Sequence, residues 1–155
     1  MILTQKETTL LKDLKSQEQL CVDKYDRYSS EACNGCLKEI FTSLKQTEQQ
    51  HLKTVNEILG GSTPNSSESG NSQKSNTSWN DSDVQSYNDQ DKKRDTYLCS
   101  DALAGEKHVS SVYNTSIFEF KDAQVRDALN HIQKEEQKHG ERIWNYMESN
   151  GMYEQ

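Results

Sequence analysis

Six side chains of this sequence stand in a pattern that could hold metal. Glu18 is followed 30 residues later by Glu48-Gln-Gln-His51, and Glu106 is followed 30 residues later by Glu136-Gln-Lys-His139. Four glutamates and two histidines in this order are the ligand set of carboxylate-bridged di-iron and di-manganese bundles. In those bundles two helices each give one Glu and the other two each give a Glu-x-x-His. A Glu and a His three residues apart lie on one face of a helix, so both can reach one ion. A single Glu-x-x-His would mean little, because helices are rich in glutamate. The repeat, with an upstream Glu at the same offset, points to one site for two iron or manganese ions. Common descent of the two halves would match the spacing as well, so spacing alone leaves the metal open.

Four helices must carry these residues, and the apolar spacing supplies four. The first stripe reads Leu11, Leu14, Glu18, Cys21, Tyr25 and Ala32; the second reads Leu37, Phe41, Leu44, Glu48, His51, Val55 and Ile58. The third reads Leu98, Ala102, Glu106, Val109, Tyr113, Ile117 and Phe120, and the fourth Val125, Leu129, Ile132, Glu136, His139, Ile143 and Met147. Steps of three and four make each stripe the seam of a helix in an antiparallel bundle. All six candidate ligands fall on these seams, whereas Glu31, Glu39 and Glu135 fall off them. Carboxylates gathered in a core repel and lose hydration, at several kcal/mol for each unpaired charge, so a cation is expected among them. The competing reading places them on the surface of slightly rotated helices, in ordinary ion pairs.

The turns test whether the six can meet. Asn34-Gly35 lies midway between Glu18 and His51, and Lys121-Asp122-Ala123 lies midway between Glu106 and His139. Both are polar breaks suited to a reversal of the chain. Each ligand pair is then about 20 Å from its own turn at the helical rise, and the pairs come level. Between the hairpins the chain from Gly60 to about Gln90 is dominated by Ser, Asn, Asp and Gly and holds the single proline. Its composition predicts a flexible crossover linker of about 30 residues, enough to span a bundle about 40 Å long. Trp79, Val84 and Tyr87 are the side chains there that could pin its second half.

Composition bounds the rest. The 155 residues fit one domain, and a mean hydropathy of −1.05 owes much to the central segment. A net charge of −7 argues against nucleic acid or an anionic membrane as partner. No apolar run approaches a membrane span, and the start shows no secretory signal, so synthesis in the cytoplasm is expected. Cys21, Cys33, Cys36 and Cys99 do not form a disulfide scaffold. Cys33-Asn-Gly-Cys36 has redox-motif spacing without a βαβ setting and reads as a helix–helix turn. Tyr25 and Tyr113, seven residues beyond the first Glu of each half, read as core packing with the hydroxyl near a partner, with hydrogen bonds to the ligand carboxylates as the alternative. His108 and His131 read as surface residues.

Leu103-Ala-Gly-Glu-Lys-His108, Tyr113-Asn-Thr-Ser-Ile-Phe-Glu-Phe120 and the run Leu129 to Gly140 together resemble the Coat F family of spore coat proteins. The likeness runs from about Asp95 to Tyr153 and is looser in the first half. It implies the fold of the ferritin-like superfamily: an all-α, antiparallel four-helix bundle in one domain over 1–155. Hairpin 1 would run from about 5 to 59, the linker from about 60 to 90 and hairpin 2 from about 91 to 150. It also implies a place in the spore coat of an endospore-forming bacterium, with other coat proteins as partners and self-association left open. The expected function is a structural, coat-associated protein with a dinuclear metal site at Glu18, Glu48, His51, Glu106, Glu136 and His139. The alternative is a di-iron or di-manganese oxidoreductase of peroxidase or catalase type. Whether any turnover occurs is left open.

Overall fold

A computed structural model describes residues 1–64 and 87–153, and these residues form four helices and no strand. Helix α1 spans Gln5–Glu31, α2 Gly35–Leu59, α3 Asp89–Ile117 and α4 Ala123–Ser149. α1 and α2 thus occupy 5–31 and 35–59, and α3 begins at Asp89. Residues 65–86, including Trp79 and Val84, lie outside the described residues.

Each helix starts on a side chain that satisfies its first free N–H groups. Thr4 and Glu7 form a reciprocal capping box on α1. Asn34 caps α2, Asn88 caps α3 and Asp122 caps α4. The Asn34-Gly35 signal thus works through the asparagine as a cap; Gly35 is the first residue of α2 and needs no positive φ. Replacing Thr4 by alanine should cost about 1 kcal/mol, readable as a fall in the urea midpoint.

The expected seams are buried almost throughout. Ile117 is half-buried, and Phe120, read as the end of the third helix, sits beyond it in the α3–α4 turn with its ring in the core. α1 packs along α2 and α3 along α4, and the two pairs meet through α1 with α3 and α2 with α4. Two apolar clusters result. One gathers Tyr25, Phe41, Leu44, Leu98, Ile143 and Met147 on the side of the α1–α2 turn. The other gathers Leu11, Leu14, Val55, Val109, Leu129 and Ile132 on the side of the α3–α4 turn. The six candidate ligands lie in the level between these clusters, so apolar packing closes them off at both ends.

A constant offset relates the halves. Adding 88 carries Glu18, Glu48 and His51 onto Glu106, Glu136 and His139, and the cap Asn34 onto the cap Asp122. It also carries Glu7 onto Asp95. Asp95, fully buried, accepts hydrogen bonds from the backbone N–H groups of Cys33 (2.8 Å) and Asn34 (2.9 Å) in the turn of hairpin 1. Glu7 accepts one from the N–H of Lys121 (3.1 Å), in the turn of hairpin 2. Each hairpin thus sends a carboxylate from the start of its first helix to the turn of the other.

Candidate metal centre

The structure brings all six residues together, all buried. Glu18, Glu48, His51 and Glu136 offer ligand atoms within 4.8 Å of one another, and so do Glu48, Glu106, Glu136 and His139. Glu48 and Glu136 belong to both groups. Glu48 turns one oxygen to His51 Nδ1 (3.1 Å) and the other to His139 Nδ1 (3.0 Å). Glu136 does the same, at 3.1 Å from His51 Nδ1 and 3.4 Å from His139 Nδ1. Glu18 stands only beside His51 (3.7 Å) and Glu106 only beside His139 (3.6 Å). The layout is two end carboxylates, two spanning carboxylates and one histidine for each position. Ligand atoms about 2.1 Å from a shared ion lie roughly 3–3.4 Å apart, close to these separations. The imidazole rings stack with centroids 5.8 Å apart.

Burial sets the proton inventory. It disfavours every charge here, but the outcome differs between groups. Burial pushes Glu18 up to about 10 and Glu106 up to about 7, with Glu48 and Glu136 respectively among the neighbours that add to the rise. Glu48 and Glu136 resist the same burial and stay below the usual carboxylate range, because both imidazoles hydrogen-bond Glu48, and His51 hydrogen-bonds Glu136 while His139 stands 3.4 Å from its other oxygen. Burial opposes a charge on His51 and His139 too, yet the surrounding carboxylates raise both well above the ordinary histidine value. Without metal, burial thus favours the protonated forms of Glu18 and Glu106, while the imidazoles favour ionised Glu48 and Glu136 beside charged His51 and His139.

The tyrosines combine both expected readings, and Glu135 departs from its expected place. Tyr25 and Tyr113 are fully in the core, but each hydroxyl also donates to a candidate ligand of the opposite hairpin: Tyr25 to Glu106 Oε1 and Tyr113 to Glu18 Oε1. Glu135, off the apolar seam, is half-buried and brings Oε2 to 2.5 Å from His51 Nε2. Its backbone faces outward, but its side chain is long enough to reach back to the ring, which a seam count does not register. His131 and His108 are exposed as expected, His131 lying 3.3 Å from Glu135. Glu31 pairs with Arg27 (2.6 Å) at the surface and Glu39 is exposed. None of the four cysteines forms a disulfide, and Cys33 and Cys36 flank the cap of α2, as a turn reading requires. Tyr87 does pin the chain before α3, its hydroxyl bonding Asp95 (2.7 Å) and Tyr146.

A crevice of about 580 Å3 opens between α3 and α4, and Leu103, Glu106, Glu136, Gly140, Trp144 and Tyr153 are among the residues that line it. It leads from the surface to the Glu106 side of the centre.

Among the described residues no helix is long and apolar enough to cross a membrane. No curated protein and no solved structure matches the chain. Residues 94–155 match the family model of the Coat F domain. Most of α3, all of α4 and the candidate ligands Glu106, Glu136 and His139 thus lie in a Coat F domain match, which indicates a location in the spore coat.

Proposed function

We propose that this is a ferritin-like, structural protein of the spore coat, one antiparallel four-helix domain whose core holds two iron or manganese ions. One observation carries the metal. Glu18 Oε2, Glu106 Oε2 and Glu136 Oε2 are buried oxygens without a hydrogen-bond donor among the described residues. An orphaned carboxylate oxygen is costly in a core, and a divalent cation would relieve that cost; Glu18 and Glu136 share one group of candidate ligands, and Glu106 and Glu136 share the other. Glutamate and imidazole are also the donor types that iron and manganese accept. Glu18, Glu48, His51 and Glu136 would hold one ion, and Glu48, Glu106, Glu136 and His139 the other. Bound there, two divalent ions supply four positive charges to four carboxylates, together with Lewis-acid and redox capacity.

Metal analysis of the purified protein tests the reading, with close to two ions per chain expected. Glu48→Ala and Glu136→Ala should each abolish stoichiometric binding and behave alike, since each residue spans both positions. Protein that takes up no manganese or ferrous iron at neutral pH would overturn the metal reading. Peroxide turnover by the loaded protein would favour the oxidoreductase over the structural role.

A further inference from the structure

The ligand set is symmetric, but its surroundings are not. Resting on the reading that the centre binds metal, we infer that the two positions are inequivalent. The position of Glu18 and His51 retains its ion. The position of Glu106 and His139 exchanges its ion with solvent through the crevice between α3 and α4.

Three differences between equivalent residues carry this. The first is support of the histidine. His51 turns Nδ1 to the carboxylates of the centre and Nε2 to Glu135 at 2.5 Å. A carboxylate behind a ligating imidazole fixes its tautomer and orientation and raises its basicity. The residue equivalent to Glu135 is Thr47, whose hydroxyl bonds the carbonyl of Ser43 in its own helix. Among the described residues, His139 Nε2 has no hydrogen-bond partner.

The second difference is closure of the seam. Gly140 lines the crevice, where a Cβ would stand 3.7 Å from Leu103 Cδ1 and 4.0 Å from Glu106 Cβ. Its equivalent on α2 is Leu52, which is half-buried. Ser110, on the facing wall, corresponds to Val22, which is buried. Hairpin 1 fills with aliphatic carbon the places that hairpin 2 leaves open. The third difference is exposure at the ligands themselves: Glu106 and His139 keep 3% and 6% of their surface, against 0% and 2% for Glu18 and His51. The crevice reaches Glu106 and Glu136, with Lys107 and Glu141 also on its walls, so a divalent cation at its inner end meets two carboxylates of the centre.

The test is manganese titration of the metal-free, full-length protein by calorimetry, with release into excess chelator followed by stopped flow. Wild type should bind in two resolved steps, and one ion should leave much faster than the other. Glu135→Gln should weaken the tighter step by roughly 10–100-fold and spare the weaker one. Gly140→Leu should slow release of the fast ion and leave the slow one unchanged. Thr47→Glu should strengthen the weaker step, a gain that misfolding cannot imitate. Two equal sites, or a Glu135→Gln protein weakened equally at both, would overturn the inequivalence while leaving the metal reading intact. Absence of any binding would overturn both.

Discussion

Manganese should raise the melting temperature of this protein at about pH 7.5 far more than at about pH 5.5. Folding raises the proton affinity of Glu18, Glu106, His51 and His139. A group whose folded pKa exceeds its unfolded value stabilises the fold fully below the unfolded value. That contribution disappears as pH rises through the folded one. For Glu106 the loss runs from about pH 4.5 to about 7, and for Glu18 on to about 10. For the histidines it begins near the ordinary imidazole value and continues above it. Glu48 and Glu136 have the opposite sign, and their contribution is lost only as pH falls below the usual carboxylate range. The metal-free protein should therefore be most stable in mild acid and weaken steadily toward alkaline pH.

Metal must displace the same protons, so its affinity rises as theirs falls. At a free concentration 100 times the dissociation constant, each site adds about 2.7 kcal/mol. For a chain of this size that is roughly 5–10 °C per site. Thermal melts with and without manganese at both pH values provide the check. A manganese shift as large in acid as at neutral pH would show that no proton is exchanged for metal.

The second large effect is expected far from the centre. Asp95→Ala should destabilise the fold by about 3–5 kcal/mol, the range for stripping the partner from buried, charge-assisted hydrogen bonds. Its carboxylate accepts from the N–H groups of Cys33 and Asn34 and from the hydroxyl of Tyr87; alanine would strand the two N–H groups and leave the hydroxyl only Tyr146. Asp95→Asn keeps one acceptor oxygen and should cost less. Glu7→Ala should cost about 1–3 kcal/mol, because its partners are two, the N–H groups of Thr4 (2.7 Å) and Lys121, and neither bond is buried as that of Asp95 to Asn34 is. Urea denaturation of the three variants measures this directly. A loss below 1 kcal/mol for Asp95→Ala would mean that water replaces the carboxylate and that the turn does not depend on it.

What could be read from the chain follows the range of each interaction. The helices and the six centre residues were legible because the apolar steps around Leu44, Glu48, His51 and Val55 are local and repeat every turn. The caps Asn34 and Asp122 were legible as turns for the same reason, although their role is to bind N–H groups rather than to reverse the backbone. Glu7 and Asp95 were not legible. Each lies near the start of a helix, where acidic residues are ordinary, and its partner is a turn of the other hairpin. Glu135 escaped for a related reason: its partner, His51, belongs to the other hairpin, and only the packing of α4 against α2 makes them neighbours. The tyrosines fall between these cases. Their burial followed from the seam, but the choice of a carboxylate across the interface followed from the way the hairpins meet.

The 88-residue offset has an experimental consequence. Glu7 and Asp95, Tyr25 and Tyr113, Glu48 and Glu136 are pairs in which one molecule performs the same measurement twice. A substitution at one member has its replicate at the other, in the same fold, buffer and sample. Agreement between replicates reports the contact itself, because everything common to the two halves cancels. Disagreement reports only what differs around them. The molecule carries its own control, and the size of the mismatch at each pair gauges how far the two halves have parted in physical role.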